Sequence, residues 1–332
     1  MTKRFLVTGG CGSIGSALVN HLLENNSNIV CSFDNNEDGL FQQQQTLSLE
    51  KKKNLKSFIG DVRDFDRLEQ AMRGVDYVYH CAALKHVKLC EYNPFEALKT
   101  NIDGTNNIVN ASLKADVKKV VLTSSDKAVN PSSTMGASKL LSERIIISGN
   151  NIRGNKNTKF CSVRFGNVWN TAGSVGKIFK AQILNNQNLT ITASEMTRFF
   201  VTMKNAIELC EFAMDKMIGG EIFISDMGKL KIKDLADNFI KSYNSKVKLE
   251  IIGAHPGEKL YEELYTEQES KRTGKVDKFY LILPETDFLI NTNTYWENNK
   301  EFKKVTNEIP LRSDTNGKDI DPLYLINQMN EK

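Results

Sequence analysis

From the start of the chain to about Arg164, short apolar runs alternate with longer stretches of helical periodicity. The apolar runs predict strands at Arg4–Thr8, Ile29–Asp34, Leu55–Ile59, Tyr77–His80, Val120–Thr123 and Phe160–Arg164. Between them the spacing predicts helices, most clearly over Pro94–Leu113 and Met135–Ile147. Strands separated by helices of this length imply an α/β fold with a doubly wound parallel sheet. Ligands of such sheets bind beyond the carboxyl ends of the strands.

After Arg164 the rhythm becomes irregular, with a helix near Lys177–Leu184 inside a loop-rich stretch. A helix near Asn205–Met217 and a strand at Glu221–Ile224 are expected to return to the sheet, and Lys231–Tyr243 to open a smaller lobe. This predicts a Rossmann-like domain over residues 1–167 with a return segment near 197–226, and a C-terminal substrate lobe from 168–196 and 227–332. From about Thr286 an Asn-, Thr- and Lys-rich tail reads as a partly exposed extension.

Gly9-Gly10-Cys11-Gly12-Ser13-Ile14-Gly15 lies between the first strand and the first helical pattern. By itself, Gly-x-x-Gly-x-x-Gly is compatible with an ordinary tight βα turn. Here a strand feeds it and a helix follows, so backbone N–H groups and the positive helix end face a pyrophosphate. The second strand ends in Asp34, nineteen residues after Gly15. A carboxylate there accepts hydrogen bonds from an adenosine ribose and repels a 2′-phosphate, which selects NAD over NADP.

The 332 residues, 40% hydrophobic and 25% charged, suit a globular protein of one large or two unequal domains. A net charge of +4 is small for this length, and Lys51-Lys52-Lys53 reads as a solvated helix end, so no nucleic-acid partner is expected. The six cysteines show no Cys-x-x-Cys and no metal-ligand spacing, pointing to a reducing compartment without zinc or disulfides. No apolar stretch approaches the roughly 20 residues of a membrane span, and Met1 leaves little room for a leader, so a cytoplasmic protein is expected.

The fifth strand runs into Thr123-Ser124-Ser125-Asp126-Lys127, and Lys139 follows twelve residues later. Helical spacing puts Met135 and Lys139 one turn apart on one face. Singly, Lys139 reads as a surface lysine and Asp126-Lys127 as a loop ion pair. Together, at one strand end and on the next helix, they read as a catalytic group.

At these residues the chain resembles the extended short-chain dehydrogenase/reductases, and within them the nucleotide-sugar 4,6-dehydratases acting on UDP-N-acetylglucosamine. The matching stretches include Thr8–Gly15, Phe58–Asp64, His80–Val87, Glu91–Pro94, Thr100–Thr105, Ser125–Pro131, Val163–Val168, Met196–Phe200, Gly219–Phe223 and Pro256–Leu260, spanning most of the chain to about residue 285. The Asp-Lys-Ala after the strand discriminates most.

The resemblance implies NAD held by Gly9, Gly12, Ser13, Ile14, Gly15, Asp34, Asn35, Asp61, Val62, Ala82 and Lys139. It implies Asp126, aided by Ser125, as the acid–base group at the 4-hydroxyl and Lys127 as the base at C5. Lys127 would then need a neutral amine, expected from burial and the nearby Lys139 charge. The superfamily usually carries Tyr where this chain has Met135, and a thioether cannot accept that proton; Asp126 is the implied substitute. Lys85, His86, Arg164, Asn167, Arg198, His255 and Glu258 match positions toward the sugar nucleotide. Arg198 also admits the reading of a surface ion-pair partner, and His86 that of a structural histidine. His255 stands where Arg is usual, and Lys88 where Pro is usual.

Met135, Asp34 and Ser225–Gly228 resemble the group that retains the C5 configuration, giving UDP-2-acetamido-2,6-dideoxy-α-D-xylo-hexos-4-ulose. The alternatives are an inverting dehydratase, a C4 epimerase or reductase, and a non-catalytic dinucleotide sensor. The resemblance also implies a homo-oligomer, a dimer or larger, paired through the helices of Pro94–Leu113 and Met135–Ile147.

Overall fold

In the computed structural model, which describes residues 2–285, 295–296, 299–306 and 309–329, strand β1 (Arg4–Thr8) is an inner strand of a ten-stranded sheet. It pairs in parallel with β2 (Ile29–Asp34) on one side and β4 (Tyr77–His80) on the other. β3 (Leu55–Ile59) flanks β2, while β5 (Lys119–Ser125) and β6 (Lys159–Phe165) extend the β4 side. Ile222–Ser225 adds a seventh parallel strand beside β6. Chain order therefore reverses between β1 and β4, and the loops leaving those two strands diverge into a crevice.

The strands read as near-continuous apolar runs because both faces are covered. Phe5, Val7, Tyr79 and Val121 point into one cluster with Leu18, Val19 and Phe223; Leu6, Val78, Val120 and Leu122 point into the other with Phe33, Leu68 and Ile108. Each fully buried Leu or Phe contributes about 1.5–3 kcal/mol relative to exposure.

The expected helices form with modest shifts, as Thr134–Ile152, Val175–Leu184, Met203–Lys216 and Ile232–Ser242. The Pro94–Leu113 helix is interrupted: Pro94–Ala97 and Gly104–Lys114 are α-helical, but Leu98–Asp103 is a π-helical turn. Apolar periodicity does not register a wider turn that keeps the same buried face.

The smaller lobe carries a four-stranded sheet in the order Lys318–Asp319, Gly228–Lys231, Thr197–Val201, Asn167–Val168. Its helices close around Trp169, Phe179, Phe200, Phe239 and Leu325. Part of 227–332 joins the main sheet instead, where Phe279–Ile282, Thr273–Val276 and Lys303–Lys304 continue it antiparallel. The tail expected as a partly exposed extension is packed into the fold in places. Residues 286–294 lie outside the described residues, but Tyr295 and Phe302 are buried in the main core and helix Pro322–Gln328 buries Leu325 and Ile326.

Candidate active site

The glycine turn follows β1 directly into helix α1 (Ser13–Leu22). Gly9 has φ +66°, and a Cβ there would sit 2.7 Å from the Ala82 backbone nitrogen, so both the left-handed backbone and the close approach to the chain leaving β4 require glycine. Gly12 precedes α1 without a side-chain cap, leaving the helix's first N–H groups for a ligand. Asp34 is held by the N–H groups of Cys11 (2.9 Å to Oδ2) and Asn36 (3.0 Å to Oδ1).

Two clefts run along this crevice. One, of about 330 Å³, is lined by Gly9, Gly12, Asp34, Asn35, Asp61, Val62 and Ala82. The second, of about 530 Å³, begins at Gly12, Ser13, Ile14 and Gly15 and reaches Ser125, Lys127, Met135 and Lys139. All the residues expected at the dinucleotide thus line one continuous trough, acidic at the end where a ribose would lie. The glycine cradle and free helix terminus fit a pyrophosphate, and the carboxylate fits ribose hydroxyls.

At the far end of the trough, the end of β5 and the turn after it bring Ser125 and Lys127 to the cleft wall, with Asp126 buried between them and lining none of the clefts. Ser125 Oγ and Lys127 Nζ both donate to Asp126 Oδ1, at 2.8 and 3.0 Å. Asp126 is fully buried, and its Oδ2 has no hydrogen-bond partner among the described residues. Lys139, one turn beyond buried Met135, donates to the Thr123 carbonyl at 2.6 Å, and burial brings its amine down to about 8. Asn101 couples these parts. The π-helical turn directs it inward, where Oδ1 accepts from the Leu84 N–H at 2.8 Å and Nδ2 donates to Ser138 Oγ at 2.8 Å. It therefore ties the loop after β4 to the helix that carries Lys139.

A third cleft, of about 430 Å³, opens into the smaller lobe and is lined by Asn167, Arg198, His255, Glu258, Lys259 and Glu262. Lys127 and Asn167 line both this cleft and the previous one, so the lysine amine stands at their junction. Its Nζ lies 3.4 Å from Asn167 Oδ1 and 3.6 Å from Glu262 Oε1.

Two expectations change here, and one alternative falls away. Lys127 is not brought down toward a free amine: burial lowers its pKa, but the carboxylates of Asp126 and Glu262 outweigh burial and raise it above the ordinary lysine value. Arg164 lines none of these clefts. Its guanidinium is buried beneath them, spanning Glu143 (2.8 and 2.9 Å) and Glu269 (2.8 and 2.9 Å). Arg198 is not a surface ion-pair partner; it is buried in the third cleft's wall and donates to the carbonyls of Thr197 and Lys259 at 2.8 and 2.7 Å.

Lys85 donates to the Ala172 carbonyl at 3.0 Å and His86 backs onto Gly173, so both face the loop roofing the second cleft. Glu258 accepts from the His255 N–H at 3.1 Å. Sequence reasoning missed Asn101, Lys259 and Glu262. The first two stood inside matching stretches, and the third lies two residues past Leu260, just beyond the last of them.

Fold and site together define an extended short-chain dehydrogenase/reductase with a second, smaller lobe. Residues 5–284 match the polysaccharide biosynthesis protein family, and the chain belongs to that family. It is 39% identical over 320 residues to a UDP-N-acetylglucosamine 4,6-dehydratase (inverting) of Campylobacter jejuni, covering 95% of this chain and 93% of that one. It is 45% identical over 289 residues to an uncharacterized membrane protein of Methanocaldococcus jannaschii, 85% and 86% of the two chains. A UDP-glucose 4-epimerase of Rickettsia bellii is 38% identical over 284 residues, 84% and 82% of the two. Among solved structures, Pen from Bacillus thuringiensis superposes with a TM-score of 0.89 at 38% identity, over 99% of this chain and 98% of that one. The dTDP-glucose 4,6-dehydratase DesIV of Streptomyces venezuelae, solved with NAD, shares the fold at 22% identity and a TM-score of 0.69, over 77% and 86%. Among the described residues no helix is long and apolar enough to cross a membrane.

Proposed function

We propose that this chain catalyses NAD-dependent 4,6-dehydration of UDP-N-acetylglucosamine. The observation that carries the reading is the placement of Lys127 in the walls of both the dinucleotide trough and the second-lobe cleft, with buried Asp126 bonded directly behind it at 3.0 Å. An acid and an amine side by side at that junction supply the two proton-transfer groups that dehydration needs and that simple hydride transfer does not.

NAD supplies the hydride acceptor for C4 and the hydride donor for C6. The protein's own residues move the protons. Asp126, with Ser125 bonded to the same oxygen, takes the 4-hydroxyl proton. Lys139 holds the nicotinamide ribose, and its charge favours the alkoxide. The C4 ketone acidifies C5–H, which Lys127 removes, and Asp126 returns its proton to the departing C6 hydroxyl as water. In the third cleft, Arg198, His255, Glu258 and Asn167 would face the sugar nucleotide.

The stereochemical outcome at C5 has two supports pointing apart. The Campylobacter relative's name supports inversion, which displaces the retention expected from sequence as the first reading. The specific observation for retention is Met135, buried in the cleft wall without a group able to carry a proton to the opposite face.

Incubation of purified protein with UDP-N-acetylglucosamine in deuterated water, without added NAD, tests the whole proposal. The expected product is a 4-keto-6-deoxy sugar nucleotide deuterated at C5, with its C5 configuration read by NMR. A 4-hydroxy product would indicate an epimerase, and no product a dinucleotide sensor.

Self-association belongs to the same reading. Tyr92 and Phe95 are 87% and 76% exposed, and Leu89, Leu98 and Leu141 expose apolar surface on helices of the same region. We expect sedimentation to show a dimer or larger species, and a Tyr92→Lys/Phe95→Glu variant to sediment as a monomer. A wild-type monomer would remove the oligomer from the proposal.

A further inference from the structure

We infer that Glu262 is a positioning residue for Lys127 that also accepts the proton Lys127 must shed before it can act at C5. The inference rests on the reading of Lys127 as the C5 base, and it answers a difficulty the structure raises. Two neighbouring carboxylates hold the Lys127 amine in its charged form, yet only the neutral amine has a lone pair to offer.

The geometry supplies a resolution. Glu262 Oε1 lies 3.6 Å from Lys127 Nζ and 3.7 Å from Arg198 Nε, and its side chain is only 3% exposed. Its other oxygen, Oε2, is buried with no hydrogen-bond partner among the described residues. The groups facing it are Lys127, Asp126, Arg198 and Lys259, with Glu258 beyond Arg198 at 4.0 Å. Arg198 is fixed by three backbone carbonyls and Lys259 donates to the Val129 carbonyl at 2.7 Å, so neither cation is drawn into the exchange. Burial pushes the Glu262 carboxyl up, and the Asp126 charge adds to that push against the opposing cations. Asp126 cannot serve as the acceptor, because it already takes the 4-hydroxyl proton.

The step balances within the cluster. A Lys127 N–H bond breaks with its electron pair left on nitrogen, and an O–H bond forms on Glu262. With Asp126 already neutralised by the 4-hydroxyl proton, Lys127, Glu262 and Arg198 carry two positive charges and one negative before the transfer and one positive after it, so the net charge of the buried site does not change. The freed lone pair takes the C5 proton, and the C5–H electron pair passes to the enolate that expels the C6 hydroxyl. When Lys127 returns a proton to C5, it recovers its own from Glu262. The 3.6 Å separation is of the kind that tightens when substrate closes the site.

The test is Glu262→Gln in the purified protein, with kcat and KM measured across pH. C5–H exchange of the 4-keto product in deuterated water is followed separately by NMR. The wild-type profile is expected to be flat through neutrality, because the proton never leaves the pair. Glu262→Gln must lose that proton to solvent. Its kcat at neutral pH should fall by about 10² with little change in KM, rise with pH toward the wild-type value, and show the same trend in C5 exchange. A flat Glu262→Gln profile, whether at wild-type rate or uniformly reduced, would overturn the inference. If that variant does not fold, Glu262→Asp decides: reduced kcat with a flat profile supports the role, and unchanged kcat overturns it. A wild type that forms no ketone instead sinks the dehydratase reading itself.

Discussion

Asp126→Asn and Lys127→Ala should each lower ketone formation from UDP-N-acetylglucosamine by about 10²–10⁴ while leaving dinucleotide binding intact. The size follows from what each group does. Asp126 is fully buried with one oxygen committed to Ser125 and Lys127 and the other unpartnered, so it is placed to gain and lose a proton at a fixed point. The amide of Asn keeps the shape and removes the basicity. Lys127 stands at the junction of the two clefts, and Ala leaves nothing there able to reach C5. Dinucleotide binding should persist because the glycine turn, Asp34 and Lys139 are untouched. NAD affinity by calorimetry and product NMR on the same preparations check both halves. Unimpaired turnover in either variant would refute the assigned roles.

Arg164→Met should destabilise the fold by about 3–5 kcal/mol, the cost of leaving partners of a buried ion pair uncompensated. The guanidinium joins Glu143 on the helix Thr134–Ile152 to Glu269 near the C-terminal strands of the main sheet, with about 2% of its side chain exposed. Burial pushes the Glu269 carboxyl up, but Arg164 outweighs it and holds it down at about 2, below the ordinary value of 4.5. A depressed folded-state value gives a contribution that is full above about pH 4.5 and lost as pH falls toward 2. In Arg164→Met the sign reverses. With the guanidinium that spans them gone, burial favours protonation of the two carboxylates against the weaker pull of Arg272 on Glu269, so that variant should gain stability as pH falls through the carboxylate range. Urea midpoints at several pH values measure both effects. A wild-type midpoint for Arg164→Met at neutral pH would show that the cluster contributes nothing net.

Arg164 also shows where local sequence stops being informative. It closes a buried strand and stands in a stretch shared with nucleotide-sugar enzymes, and an arginine there suits a diphosphate as well as a carboxylate. Only the approach of Glu269, 105 residues away, decides between them. The same holds for the protonation of Lys127. Chain neighbours indicate an amine next to an acid, but burial opposes its charge, Asp126 supports it, and Glu262, which arrives from the second lobe, adds to that support.

What the chain determined alone was whatever depends on neighbours in sequence. The glycine turn, the acidic end of β2, the parallel strands and the Asp126–Lys127 pair are local, because backbone conformation and the alternation of apolar residues are local. The π-helical turn at Asn101, the strands after Thr273 that widen the sheet, the burial of the C-terminal helix and the proton partner of Lys127 were decided by tertiary structure. Each depends on desolvation and on charges brought close across long stretches of chain. Those energies exist only once the two lobes have packed together.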